Sequence, residues 1–165
     1  MPATFESIAT TTLGSAASTI TFSSIPNTYT DLRLVITGSC SAFAAYLQFN
    51  GITTTTYSNT YLFGNGSSAQ SSRQSNNNFI SIAPNWSGDS TKPGLIELDI
   101  FSYAGATNKT VLTSYSSDQN GSGYAGRLVG LWRSTNAITQ ITITSGGADT
   151  FSTGTTATLY GILKA

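Results

Sequence analysis

Asp31-Leu32-Arg33-Leu34-Val35-Ile36-Thr37 carries the pattern on which the fold turns: Leu32, Leu34 and Ile36 fall on one side and Arg33, Val35 and Thr37 on the other. A spacing of two is the signature of a pleated strand with one face in a core. The alternation recurs in both directions along the chain. Towards the N-terminus, Ile20 and Phe22 make a short strand that stops at Ile25-Pro26, because proline brings no N–H to a ladder. Towards the C-terminus, Ala45, Leu47 and Phe49 run into Asn50-Gly51, a dipeptide that accepts the positive φ of a tight turn and predicts an antiparallel return over 52–57. Ile96, Leu98 and Ile100 alternate with Glu97 and Asp99, and a further strand is expected at 110–116. Residues 127–133 and 138–144 read as two strands joined by Ser134-Thr135-Asn136, which predicts a hairpin. Gly146-Gly147 then makes a turn, and Ala157, Leu159, Gly161 and Leu163 alternate to the end. The polar stretch 64–78, with Asn76-Asn77-Asn78, has little apolar periodicity and reads as a long exposed loop.

No window carries a sustained helical period with caps, so many short strands separated by turn signals point to an all-β chain. The expected architecture is an antiparallel β-sandwich, jelly-roll-like, in one domain over residues 1–165, a length that buries a core without staples. Serine and threonine make up roughly three in ten residues. Because apolar residues keep returning at every second position, these hydroxyls belong on outward strand faces, where β-branching is favoured.

Composition excludes several classes of function. Seven cationic residues balance seven acidic ones, and only 8% of the chain is charged, so there is no footprint for nucleic acid or anionic lipid. No run approaches the roughly 18 apolar residues of a membrane span. The start Met1-Pro2-Ala3-Thr4-Phe5-Glu6 lacks the basic and apolar blocks of a secretion signal. The single Cys40 cannot close an internal disulfide and reads as a small residue packed within or beside a strand. Near-zero net charge gives little repulsion between copies, which suits a protein that packs against itself or a larger body.

Histidine is absent, which removes the commonest general base, the usual partner of a nucleophile and the commonest zinc ligand. The expectation is a chain that is not an enzyme and takes no cofactor. Glu97 and Asp99 share a strand face and form the one carboxylate pair worth testing as a glycosidase site, against a solvated outer face. Asp118-Gln119-Asn120-Gly121-Ser122-Gly123 begins like a calcium loop but lacks the closing acid, and reads as a polar turn. Asn65, Asn85, Asn108 and Asn120 start Asn-x-Ser/Thr sequons, about as many as chance provides at this composition. Among the aromatic residues, Trp132 alternates with Leu128 and Gly130 and reads as core. Trp86, in Ala83-Pro84-Asn85-Trp86-Ser87-Gly88, either closes the end of the core or offers an exposed indole to a sugar or partner. Tyr57, Tyr61 and Phe63 make an aromatic strip with the same two readings, hairpin packing or glycan contact.

Four stretches taken together carry a resemblance: Phe22-Ser23-Ser24-Ile25-Pro26-Asn27-Thr28-Tyr29-Thr30-Asp31-Leu32; Leu47-Gln48-Phe49-Asn50-Gly51; Gly130-Leu131-Trp132 with Ala137-Ile138-Thr139-Gln140-Ile141-Thr142; and Thr158-Leu159-Tyr160-Gly161-Ile162. In that order the chain resembles a family of small bacteriophage virion proteins, described as structural, tail-associated or decoration proteins and common in marine and cyanobacterial phages. The resemblance implies a trimer-forming jelly-roll module on the outer surface of the phage particle, made in the host cytoplasm, with the major capsid protein or tail proteins as partners. It implies no chemistry, because every matched motif is a scaffold motif. Ile52-Thr53-Thr54-Thr55-Thr56 departs from the more polar sequence of the family. The leading expectation is therefore a capsid-decorating or cementing homo-oligomer. The alternative is a tail-associated module that recognises a host surface glycan through Trp86, Tyr57 and Tyr61.

Overall fold

The computed structural model describes residues 5–41, 44–86 and 91–163. The Met1-Pro2-Ala3-Thr4 part of the leader reading and Ser87-Gly88, the end of the Trp86 segment, lie outside them. The described chain forms β1 (Phe5–Thr12), β2 (Thr19–Phe22), β3 (Asp31–Gly38), β4 (Ala44–Phe49), β5 (Tyr57–Gly64), β6 (Ala69–Asn77), β7 (Ile80–Pro84), β8 (Gly94–Phe101), β9 (Lys109–Asp118), β10 (Gly123–Trp132), β11 (Ile141–Ser145) and β12 (Thr156–Ile162). Eight strands make one sheet in the order β1-β12-β3-β8-β9-β10-β5-β6, and the other four make a second in the order β2-β11-β4-β7. Every pairing is antiparallel. Only β5–β6, β8–β9 and β9–β10 join sequence neighbours within one sheet; the other connections pass between sheets. The all-β, jelly-roll-like sandwich expected from the alternation is the fold.

The alternating apolar sets meet between the two sheets. Leu32, Leu34 and Ile36 of β3, Ile96, Leu98 and Ile100 of β8, and Ala157 and Leu159 of β12 are buried in one cluster with Leu47, Phe49, Ile141 and Ile143 of the small sheet. Cys40 is buried beside Phe151, with which it forms an isolated bridge. Burial of these side chains stabilises the fold by about 1.5–3 kcal/mol each, largely offset by conformational entropy.

Two expected hairpins are instead crossings between sheets. Asn50 and Gly51 have the positive φ of a turn, 53° and 67°, yet β4 lies in the small sheet and β5 in the large one. The reason is packing: Phe49 before the turn and Tyr57 after it are both buried, with ring centroids 6.3 Å apart across the core. Likewise β10 and β11 belong to opposite sheets, because Trp132 and Ile141 both face inward from them. The expected loop at 64–78 is also corrected. Residues 69–77 form β6, paired along β5 from Gly64↔Ala69 to Tyr57↔Asn77. β6 is a sheet edge with little buried on either face, so no apolar period marks it.

Asn50 acts as a plug for the first crossing. Its Oδ1 accepts the N–H groups of Thr139 at 2.9 Å and Gln140 at 3.0 Å, and its Nδ2 donates to the Ala137 carbonyl at 2.8 Å. Asn50→Ala orphans those three backbone groups, and we expect it to cost about 2 kcal/mol, read as a lower urea midpoint with unchanged slope.

Candidate functional site

The structure takes two of the three predicted contact residues out of reach. Trp86 is 0% exposed and Tyr57 is 0% exposed. Trp86 turns inward over Gly94, where an added Cβ would lie 2.2 Å from its Nε1. The Tyr57 hydroxyl accepts the Phe49 N–H at 3.0 Å and donates to the Ile52 carbonyl at 3.0 Å, bonds that hold it in the core. Both rings close the ends of the sandwich, which corrects the glycan-contact reading for them. Tyr61 is half-buried and keeps one side at the surface. Trp132 is in the core, as its alternation predicts.

Glu97 and Asp99 stand on the outer face of β8 rather than in a cleft. Asp99 is held by Arg33, whose Nε and Nη2 donate to its two carboxylate oxygens at 2.7 and 2.8 Å. That hydrogen bond holds the Arg33 guanidinium above its usual range against a smaller effect of burial. Among the described residues no group of three His, Cys, Asp or Glu side chains is placed to hold a metal. Asp118 instead closes its own turn by accepting the Gly121 N–H at 2.8 Å. A surface cleft of about 520 Å³ lies between that turn and the β5–β6 turn, lined by small residues with Asn65, Leu95, Asp118 and Tyr124.

An aromatic patch forms where the large sheet runs past the small one. Gln70 and Ser72 share the inner face with Phe63 and Tyr61 by register, yet both are exposed. Tyr61 and Phe63 stack at 6.1 Å, and Tyr124 meets Phe63 edge-on at 5.9 Å. Tyr115 lies across Gly126 of the neighbouring strand, where an added Cβ would stand 2.6 Å from its ring. Burial, with smaller contributions from the Tyr61 and Tyr124 phenols, pushes Tyr115 far above the ordinary tyrosine range. Three side-chain hydroxyls on β9, Thr113 Oγ1, Tyr115 Oη and Ser117 Oγ, have no hydrogen-bond partner although the residues are only 0%, 3% and 6% exposed, and the last two lie towards this patch. Of this group the sequence reading found Tyr61 and Phe63. Tyr115, Ser117 and Tyr124 join them only through the β9–β10 register, and the local signal was the small Gly126 opposite a tyrosine.

The outer face of the large sheet holds most of the exposed large apolar side chains. Leu62 is 61% exposed and Val129 is 46% exposed, and Phe5, Leu95 and Phe101 also point to solvent there. One row across the strands reads Asp99, Leu112, Val129, Thr60, Arg73, and the next reads Glu97, Ser114, Arg127, Leu62, Ser71. Leu112 and Val129 thus lie between Asp99 on β8 and Arg73 on β6, and Leu62 lies beyond Arg127 in the next row.

Buried phenols give the fold an alkaline limit. Burial raises Tyr57, Tyr103 and Tyr115 above their ordinary value, and burial with the bond to Glu6 raises Tyr29, so the folded state keeps protons that the unfolded chain releases near pH 10. Their contribution is intact below about pH 10 and is lost as pH climbs towards the folded values. Lys109, lowered by burial, works in the opposite direction. Its ammonium donates to the Gly105 and Thr107 carbonyls. With four phenols against one amine, we expect the urea midpoint to fall between about pH 10 and 12 alongside the appearance of tyrosinate absorbance.

No protein-family model matches the chain, and no curated protein matches it. Among solved structures, the chain is similar to the galectin LEC-6 of Caenorhabditis elegans, with 12% identity, 88% of this chain and 92% of that one covered, and a TM-score of 0.38. It is also similar to peanut lectin, with 8% identity, 98% and 92% covered, and a TM-score of 0.32. A third similarity is to the tripod from the baseplate of bacteriophage Tuc2009, with 9% identity, 97% of this chain and 62% of that one covered, and a TM-score of 0.21.

Proposed function

We propose that this chain is a non-enzymatic binding protein that assembles with copies of itself, as a trimer, on the outer surface of a phage particle, where it decorates or cements the capsid. The observation that carries the reading is the apolar strip of Leu62, Leu112 and Val129 on an open sheet face. Exposed apolar side chains gathered on one face mark an interaction surface more often than scattered ones do. Glu97 on β8, with Arg127 on β10 and Arg73 on β6 across the same face, gives two copies opposite charges to align. The virion resemblance of the sequence supplies the location. Binding only to the assembled lattice would stabilise it by mass action.

Light scattering of the purified chain tests the assembly. We expect a trimer at micromolar concentration, and Val129→Arg, which buries an unpaired cation in the contact, should weaken it about a hundredfold. A chain that stays monomeric at every concentration removes the reading. Imaging of intact particles tests the location, which fails if no copy is found on the outer surface.

A second reading, a carbohydrate-binding module of the tail, is favoured by one observation: half-buried Tyr61 and Tyr124 stand on the uncovered end of the inner face beside hydroxyls without partners.

A further inference from the structure

We infer that this uncovered end of the inner face, where Tyr61, Phe63 and Tyr124 surround the hydroxyls of Tyr115 and Ser117, is a binding site for a neutral saccharide. The inference rests on the carbohydrate-binding reading and gives it a place and a ligand class.

Three features point the same way. Tyr61 and Tyr124 offer partly exposed rings in contact with Phe63, and an aromatic ring is the surface against which the C–H face of a sugar packs. Tyr115 Oη and Ser117 Oγ are buried and unpartnered beside these rings, a condition that an incoming hydroxyl relieves. Their residues belong to the same face of β9 two positions apart, with the Tyr115 ring reaching across Gly126 of β10. Each hydroxyl can donate or accept, as can each hydroxyl of a saccharide.

The same surface argues against a charged ligand. Tyr61, Phe63, Gln70, Ser72, Tyr115, Ser117 and Tyr124 include no cationic side chain, and the cleft that Ser117 and Tyr124 line adds only the carboxylate of Asp118, so an anionic group would lose its water without a counter-charge. A sialylated or phosphorylated glycan is disfavoured, and a neutral hexose is favoured. Single contacts of this kind are weak, and display on an oligomer multiplies them.

The test uses the whole chain on a printed array of neutral and sialylated oligosaccharides, followed by titration with free galactose and glucose. We expect neutral glycans to bind, and Tyr61→Ala or Tyr124→Ala to weaken them about tenfold. Tyr115→Phe and Ser117→Ala provide the sharper readout. Because these hydroxyls have no protein partner, removing them should leave the thermal midpoint unchanged or raised while weakening binding about tenfold. Neutral-glycan binding that survives all four substitutions overturns this site and leaves the carbohydrate-binding reading standing. Binding confined to sialylated glycans overturns the ligand class. An array on which nothing binds overturns both.

Discussion

Trp132→Ala is expected to lower the unfolding free energy by about 4 kcal/mol, close to the whole stability of a marginal domain. Trp132 is buried at the end of β10, stacked with Tyr57 at 6.2 Å and tilted against Phe49 at 5.4 Å. These rings come from β10, β5 and β4, so the indole ties the two sheets together at the crossing that Asn50 plugs. Truncation removes the apolar contact and leaves a cavity between partners already fixed by backbone hydrogen bonds, which restricts collapse. Trp132→Phe should cost distinctly less, because it keeps most of the ring contact and removes an indole N–H that has no partner. Urea unfolding followed by circular dichroism separates the two: equal midpoints for the Ala and Phe variants would mean that the cavity is not the cause.

Gly94→Ala is the second large effect, and it comes from adding one carbon. A Cβ at Gly94 would stand 2.2 Å from Trp86 Nε1 and 2.8 Å from the Ser116 carbonyl. Neither neighbour gives way easily, since Trp86 is wholly buried and the carbonyl belongs to the β9 backbone. We expect a loss of about 3 kcal/mol. Gly161→Ala provides the comparison. There the Cβ would meet the Tyr29 ring at 2.3 Å, but Tyr29 is only half-buried and can swing out, giving up the bond its hydroxyl donates to Glu6 at 3.1 Å. That variant should lose about 1 kcal/mol. If the two substitutions cost the same, the immobility of Trp86 is not what makes Gly94 intolerant.

Strands that bury one face were legible from their residues alone. β3, β4, β8 and β12 each alternate buried and solvent-facing positions, and each is legible from that period. β6 escaped because an edge strand with little buried on either face has no period to display, and Ala69 to Asn77 carries only polar side chains after its first residue. β7 escaped for the opposite reason: Ile80, Ser81, Ile82 and Ala83 are all buried. Partnership was harder to read than strand identity. Asn50-Gly51 announces a turn correctly, but whether the chain returns beside itself or crosses the sandwich depends on the distant Trp132 and Ile141. The candidate site divides in the same way. Tyr61 could be read from the strip of aromatic residues, while the fate of Trp86 depended on the missing side chain at Gly94, one strand away.

The place of β12 in the large sheet sets the order in which the molecule can be completed. β12 lies between β1 and β3, pairing Phe5 with Ile162 on one side and Asp31 with Ile162 on the other. Until β12 has left the ribosome, β1 has no neighbour and β3 shows an unpaired edge, however well the strands between them have formed. Closure is thus a late, long-range event, of the kind that slows folding and leaves sticky intermediates in the meantime. Nascent chains stalled before residue 156 should therefore need chaperone protection that the finished chain does not.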